Sequence, residues 1–67
     1  MYTSINFQTK KAFKQAVVDG KEITLFSPGL GVPKVNGVET VEGPQYPQPH
    51  KWYASVKVEN GIVVKIL

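Results

Sequence analysis

The chain has no cysteine and no arginine, and only one histidine, one tryptophan and one aspartate. Without cysteine there is neither a disulfide framework nor a thiolate metal cage, and one histidine among scattered glutamates has no metal-ligand spacing. The usual staples of a very small domain are missing, so no metal or cofactor is expected. The lack of arginine narrows recognition chemistry. Arginine makes the bidentate contacts that read phosphate, carboxylate and guanine, whereas lysine offers only a point charge. That argues against sequence-specific DNA reading. No apolar run approaches the roughly 20 residues of a membrane helix. The opening stretch, Met1-Tyr2-Thr3-Ser4-Ile5-Asn6-Phe7, has neither the basic region nor the apolar core of a signal peptide, so the cytoplasm is the expected compartment.

What is present is 67 residues, 42% of them hydrophobic, which is the fraction of an ordinary globular chain and not of a disordered one. One small domain over residues 1–67 is expected. A chain this short buries only about 60% of the surface it exposes when unfolded, so stability must come from a dense core, stiff loops or self-association. Eight lysines against five carboxylates give a net charge of +3. A field of that size permits weak, salt-sensitive contact with polyanions, although solubility is the ordinary role of such charge.

Ile5 and Phe7 alternate with polar neighbours, which suggests a short first strand. Thr9 is a good N-cap for a helix over Lys10–Asp19, with Ala12, Phe13, Ala16 and Val17 on one face and Gly20 as a left-handed C-cap. Lys21–Ser27 alternates as a strand with Ile23 and Leu25 on one side. The glycines of the following loop lack the Gly-Lys-Ser/Thr that a phosphate cradle needs. Asn36-Gly37 is a turn signal, so a third strand is expected over Val38–Glu42. In the C-terminal hairpin Trp52, Ala54, Val56 and Val58 share one face, which marks Trp52 as a core anchor. A two-residue Asn60-Gly61 loop would mix the apolar faces. A three-residue Glu59-Asn60-Gly61 loop would pair Val58 with Ile62, Val56 with Val64 and Ala54 with Ile66, and is the expected arrangement. The expected fold is α+β in the order β-α-β-β-β-β, one helix packed on a small antiparallel sheet ending in a β-hairpin. Its other face would carry Tyr53, Ser55, Lys57, Val63, Lys65 and Leu67.

Between the last turn and the hairpin lies Gly43-Pro44-Gln45-Tyr46-Pro47-Gln48-Pro49-His50-Lys51-Trp52-Tyr53, with three of the five prolines and the only histidine and tryptophan. Its prolines favour extended geometry at little entropic cost. The expectation is a lid, with Tyr46 and at least two prolines packed over the core end near Trp52. A displayed proline-rich ligand, or a stiff loop presenting Tyr46, His50 and Lys51 at its rim, are the alternatives.

No catalytic chemistry is legible. A nucleophilic triad would have to join His50 to Ser4, Ser27 or Ser55, and none of these serines sits in an elbow motif. The chain is expected not to be an enzyme but an interaction module for a protein partner or for itself, with Tyr46, His50, Lys51, Tyr53, Lys57 and Lys65 as candidate binding residues. The alternative is a weak, non-specific single-stranded nucleic-acid binder using Lys10, Lys11, Lys14, Lys51, Tyr53 and Lys57. The helix lysines sit where the macrodipole disfavours cations, and Tyr53 offers one stacking ring.

Pro28-Gly29, Val41-Glu42-Gly43-Pro44, Tyr46-Pro47, Pro49-His50, Trp52-Tyr53-Ala54 and Gly61-Ile62-Val63-Val64-Lys65 together resemble short proteins of unknown function encoded by tailed bacteriophages. The resemblance spans about residues 27–66. It implies an accessory protein at work in the cytoplasm of an infected bacterium, and it supplies no catalytic residues.

Overall fold

Thr9 starts the helix as its residue type suggests. Its backbone is extended (φ −135°, ψ 155°) and its hydroxyl accepts from the Ala12 N–H. The computed structural model describes residues 1–27, 29 and 31–67. The helix, α1, runs Lys10–Val18. Gly20, at φ 77°, closes it: the Gly20 N–H bonds to the Val17 carbonyl and the Lys21 N–H to the Ala16 carbonyl, each at 3.1 Å. Phe13 and Ala16 are buried and Val17 is half-buried, while Ala12, expected beside them, is exposed. The buried stripe is centred on the i, i+3, i+4 set Phe13, Ala16 and Val17, and Ala12 lies about 100° round the axis from Phe13.

The strands are β1 (Tyr2–Thr3), β2 (Leu25–Phe26), β3 (Gly37–Gly43), β4 (Trp52–Glu59) and β5 (Ile62–Ile66), so the order is β-α-β-β-β-β and the fold is a small α+β one. They form two antiparallel sheets, β1-β2 and β3-β4-β5. The first strand lies earlier than Ile5 and Phe7. Ile5 is at a bend, where its carbonyl accepts from the Phe7 N–H at 3.0 Å and from the Thr3 hydroxyl at 2.6 Å. Two apolar residues one apart read the same in a strand and in a turn. Lys21–Ser27 contributes less strand than its alternation suggests, pairing as β2 only at Leu25–Phe26, with Thr24 bridging to Ile62. Its phase is as expected: Ile23 is fully buried and Phe26 faces out.

The hairpin register differs from the expected one. Asn60 and Gly61 are both left-handed (φ 52° and 78°) and form a two-residue loop that pairs Glu59 with Ile62 and Val58 with Val63. Such mirror-image turns match the right-handed twist of the strands. A β-bulge then absorbs one residue, so that Lys57 faces Lys65 and Val56 faces Ile66. The bulge removes the mixing of faces that a short loop would otherwise cause. Val63, expected on the outer face, is therefore in the core, and Val64 is turned outward.

The two sheets meet at both sides. The Met1 carbonyl accepts from the Glu42 N–H at 3.0 Å along β3, and the Val63 N–H donates to the Ile23 carbonyl at 2.9 Å along β5. Phe7, Phe13, Ile23, Val41, Trp52, Ala54, Val56, Val58 and Val63 fill the interior with Ala16. Phe13 stacks on Trp52 with ring centroids 5.2 Å apart, and the indole N–H donates to the Phe7 carbonyl at 3.1 Å. Trp52 is the expected core anchor.

Candidate functional site

The strict alternation along β4 buries Trp52, Ala54, Val56 and Val58 and turns Tyr53, Ser55, Lys57 and Glu59 outward. On the outer face of the three-stranded sheet the register sets Glu42 beside Tyr53, Thr40 beside Ser55, and Val38 beside Lys57, with Lys65 on the far side of Lys57. Exposed Val38, Tyr53 and Leu67 make the same surface partly apolar.

The proline segment leads into this face, held by hydrogen bonds more than by packing. Pro44 is buried, but Pro47, Pro49 and Tyr46 are exposed, Tyr46 to 65%. The expected lid of Tyr46 and two prolines over Trp52 is thus reduced to Pro44 alone. What orders the segment is a set of amides. The Gln45 N–H donates to Asn6 Oδ1 at 2.7 Å, and Gln45 Nε2 donates to the Thr3 carbonyl at 2.7 Å. The Tyr46 carbonyl accepts from Asn6 Nδ2 at 3.1 Å and Gln8 Nε2 at 3.2 Å. The Lys51 N–H then closes on the Gly43 carbonyl at 2.7 Å. Asn6, Gln8 and Gln45 were not singled out in the sequence, and an isolated amide side chain carries no periodic signal that could have marked them.

This geometry gathers rings that are far apart in sequence. Tyr2 Oη and His50 Nε2 are hydrogen-bonded at 2.7 Å, with the two rings 5.4 Å apart and tilted by 49°. On one side Tyr2 meets Phe26 edge-on at 5.7 Å, and on the other His50 meets Tyr53 at 6.4 Å and 64°. The run Phe26–Tyr2–His50–Tyr53 is an aromatic row with Phe26 42% and Tyr53 58% exposed. Tilted pairs of this kind hold one another by about 0.5–1.5 kcal/mol each. They do not offer parallel faces on which successive bases could stack. Tyr2 and Phe26 joined the site only on folding.

Of the expected partner-binding residues, His50 and Tyr53 come together in this row. Lys51 precedes β4, and Lys57 and Lys65 lie opposite each other on the adjoining sheet face. Tyr46 is exposed on the loop. Of the nucleic-acid set, Lys10 and Lys11 belong to α1, which packs through Phe13 on the inner side of β4, away from Tyr53 and Lys57. Lys14 reaches the β5 side and lines a groove with Lys65. His50 is bonded to Tyr2, whereas Ser4 Oγ accepts from the Thr24 N–H and Ser27 Oγ from the Gly29 N–H. Among the described residues no group of three or more histidine, cysteine or acidic side chains could hold a metal ion. Among them, too, no helix is long and apolar enough to cross a membrane. Comparison with protein-family models, curated proteins and solved structures finds no match.

Proposed function

We propose that this protein is a small non-enzymatic interaction module that binds a protein partner through the aromatic row and the adjoining outer face of the sheet. The observation that carries the reading is the row itself: exposed rings fixed by hydrogen bonding and mutual contact. Pre-ordered, exposed aromatic side chains are what interfaces use as anchors, because little side-chain entropy remains to be lost. The sheet face alone is about 26 Å by about 14 Å, on the order of 350 Å². A stable interface needs about 800 Å² a side. The rings of Tyr2, Phe26 and His50 and the loop at Tyr46 and Lys51 must therefore take part, or the contact is transient. The resemblance to phage-encoded proteins makes the cytoplasm of an infected bacterium the place to look for the partner, and a second copy of the chain is one form that partner could take.

The second reading is weak single-stranded nucleic-acid binding. Tyr53 between Lys51 and Lys57, with Lys65 close by, favours it. The tilt of the rings and the separation of Lys10 and Lys11 from Tyr53 weigh against it. Titration with single- and double-stranded oligonucleotides at low and high salt separates the two. Binding that falls steeply with salt and is lost in Tyr53→Ala supports the nucleic-acid reading. No binding at low salt leaves the protein reading, which then predicts that a photo-crosslinker at position 53 captures a defined protein, or the chain itself, and that one at exposed position 11 does not. Equal capture from both positions would sink it.

A further inference from the structure

A second surface lies along the outer edge of β5. β5 is an edge strand, and its outer edge is paired only at its start, through the Thr24–Ile62 bridge and the Val63 N–H to Ile23 bond. Along Val64–Ile66 no strand of the described residues lies beside it. Lys65 and Leu67 face β4, the first paired with Lys57 and the second donating its N–H to the Ser55 carbonyl. By alternation the backbone groups of Ile66 point away from β4.

Between this stretch and the end of α1 runs an open groove of about 450 Å³. Val17, Val18, Val64 and Ile66 line it, with Leu67 at one end. Val18, about 140° round the helix axis from Phe13, is 79% exposed. A second hollow of about 410 Å³ continues it along β5, sharing Val17 and Val64 and carrying the opposite charges Lys21 and Glu22, so the charge selection lies in the main groove. An apolar trough beside an unpaired strand edge is the arrangement in which an extended peptide adds as a strand.

Charge selects the occupant. Lys14 and Lys65 line the main groove, and no carboxylate side chain does. Lys57 stands directly opposite Lys65, a like-charge cross-strand pair that costs the sheet a little stability. The nearest acid of the helix, Asp19, is bonded to Gln15. None of the three lysines has an ion pair among the described residues. A second copy paired edge to edge would bring two such lysine sets together in a chain already at +3. The repulsion disfavours it, and the bulge and Lys65 are devices that keep edges from self-pairing. We infer that the free edge of β5 takes an extended peptide of alternating apolar and acidic residues, its apolar side chains in the α1–β5 groove and its carboxylates on the opposite side of the added strand, at Lys65 and Lys57. The inference does not rest on the aromatic row.

The test is a titration of the isotope-labelled protein with a blocked six-residue peptide alternating valine and glutamate, followed by amide NMR shifts and hydrogen exchange. The expected result is shifts confined to Val17, Val18 and Val64–Leu67, with slowed exchange at Ile66. The same peptide with lysine for glutamate should not bind, and N-methylation of alternate peptide amides should abolish binding. Lys57→Glu with Lys65→Glu should weaken binding at least about tenfold. Both positions are exposed, so the variant should fold, and an unchanged hydrogen-exchange pattern of the core checks this. Shifts centred on Tyr53 and His50, equal binding of the lysine peptide, or protection at Ile66 that appears with protein concentration alone would each overturn the inference.

Discussion

Trp52 and Tyr46 come from the same eleven-residue stretch, yet one is 7% exposed and the other 65%. Trp52 belongs to a strand whose neighbours at i+2, i+4 and i+6 all point inward, so the pleat carries its ring into the core whatever else happens. Tyr46 belongs to a loop without a period, and its hydrophobicity did not decide its place. Its carbonyl is the group that the fold uses, held by Asn6 and Gln8 while the ring points outward. The core side is organised by area removed from water, the loop side by satisfied amides. Stiffness in the second region comes from polar bonds and leaves its rings free for a partner.

Four substitutions test that contrast. Trp52→Ala should be the most damaging, about 3–5 kcal/mol, since it removes the ring stacked on Phe13 and leaves the Phe7 carbonyl without its donor. Denaturant unfolding followed by circular dichroism measures it, and a loss below about 1 kcal/mol would show that the core does not turn on this ring. Gly43→Ala comes next. A methyl group at Gly43 would run into the Trp52 indole, so about 1–3 kcal/mol of overpacking strain is expected, with a changed tryptophan emission. Asn6→Ala takes away the acceptor of the Gln45 N–H and one donor to the Tyr46 carbonyl, and should cost about 1–2 kcal/mol. Faster amide relaxation at 45–49 with the β4 core unmoved is the expected signature. Relaxation unchanged from the parent would mean that the prolines alone hold the loop. Tyr46→Ala should cost least, under about 0.5 kcal/mol, because the exposed ring carries no contact that holds the loop. A loss comparable to that of Trp52→Ala would restore the lid.

Much of the fold was legible because the signals were local and redundant. Thr9 and Gly20 mark the helix by capping chemistry, and Asn60-Gly61 marks a turn. The alternation from Trp52 to Val58 defines the buried face of β4 without reference to any other element. The candidate site was only half legible. His50, Lys51 and Tyr53 lie in or beside a conspicuous segment, but Tyr2 and Phe26 reach them through β1–β2 pairing across 23 residues or more of chain, which no window in the sequence spans.

By itself, then, the sequence determined the order of the elements, though not the place of β1, and that Trp52 anchors the core. Tertiary structure decided where Ile62-Val63-Val64 changes phase. Three consecutive β-branched apolar residues read equally well on either face of a strand. The bulge at that point goes with contacts from elsewhere: the Ile23 carbonyl takes the Val63 N–H, and Val63 is buried while Val64 is exposed. Tertiary structure likewise decided that Tyr46 faces out, because the partners of its backbone lie about 40 residues away, on Asn6 and Gln8.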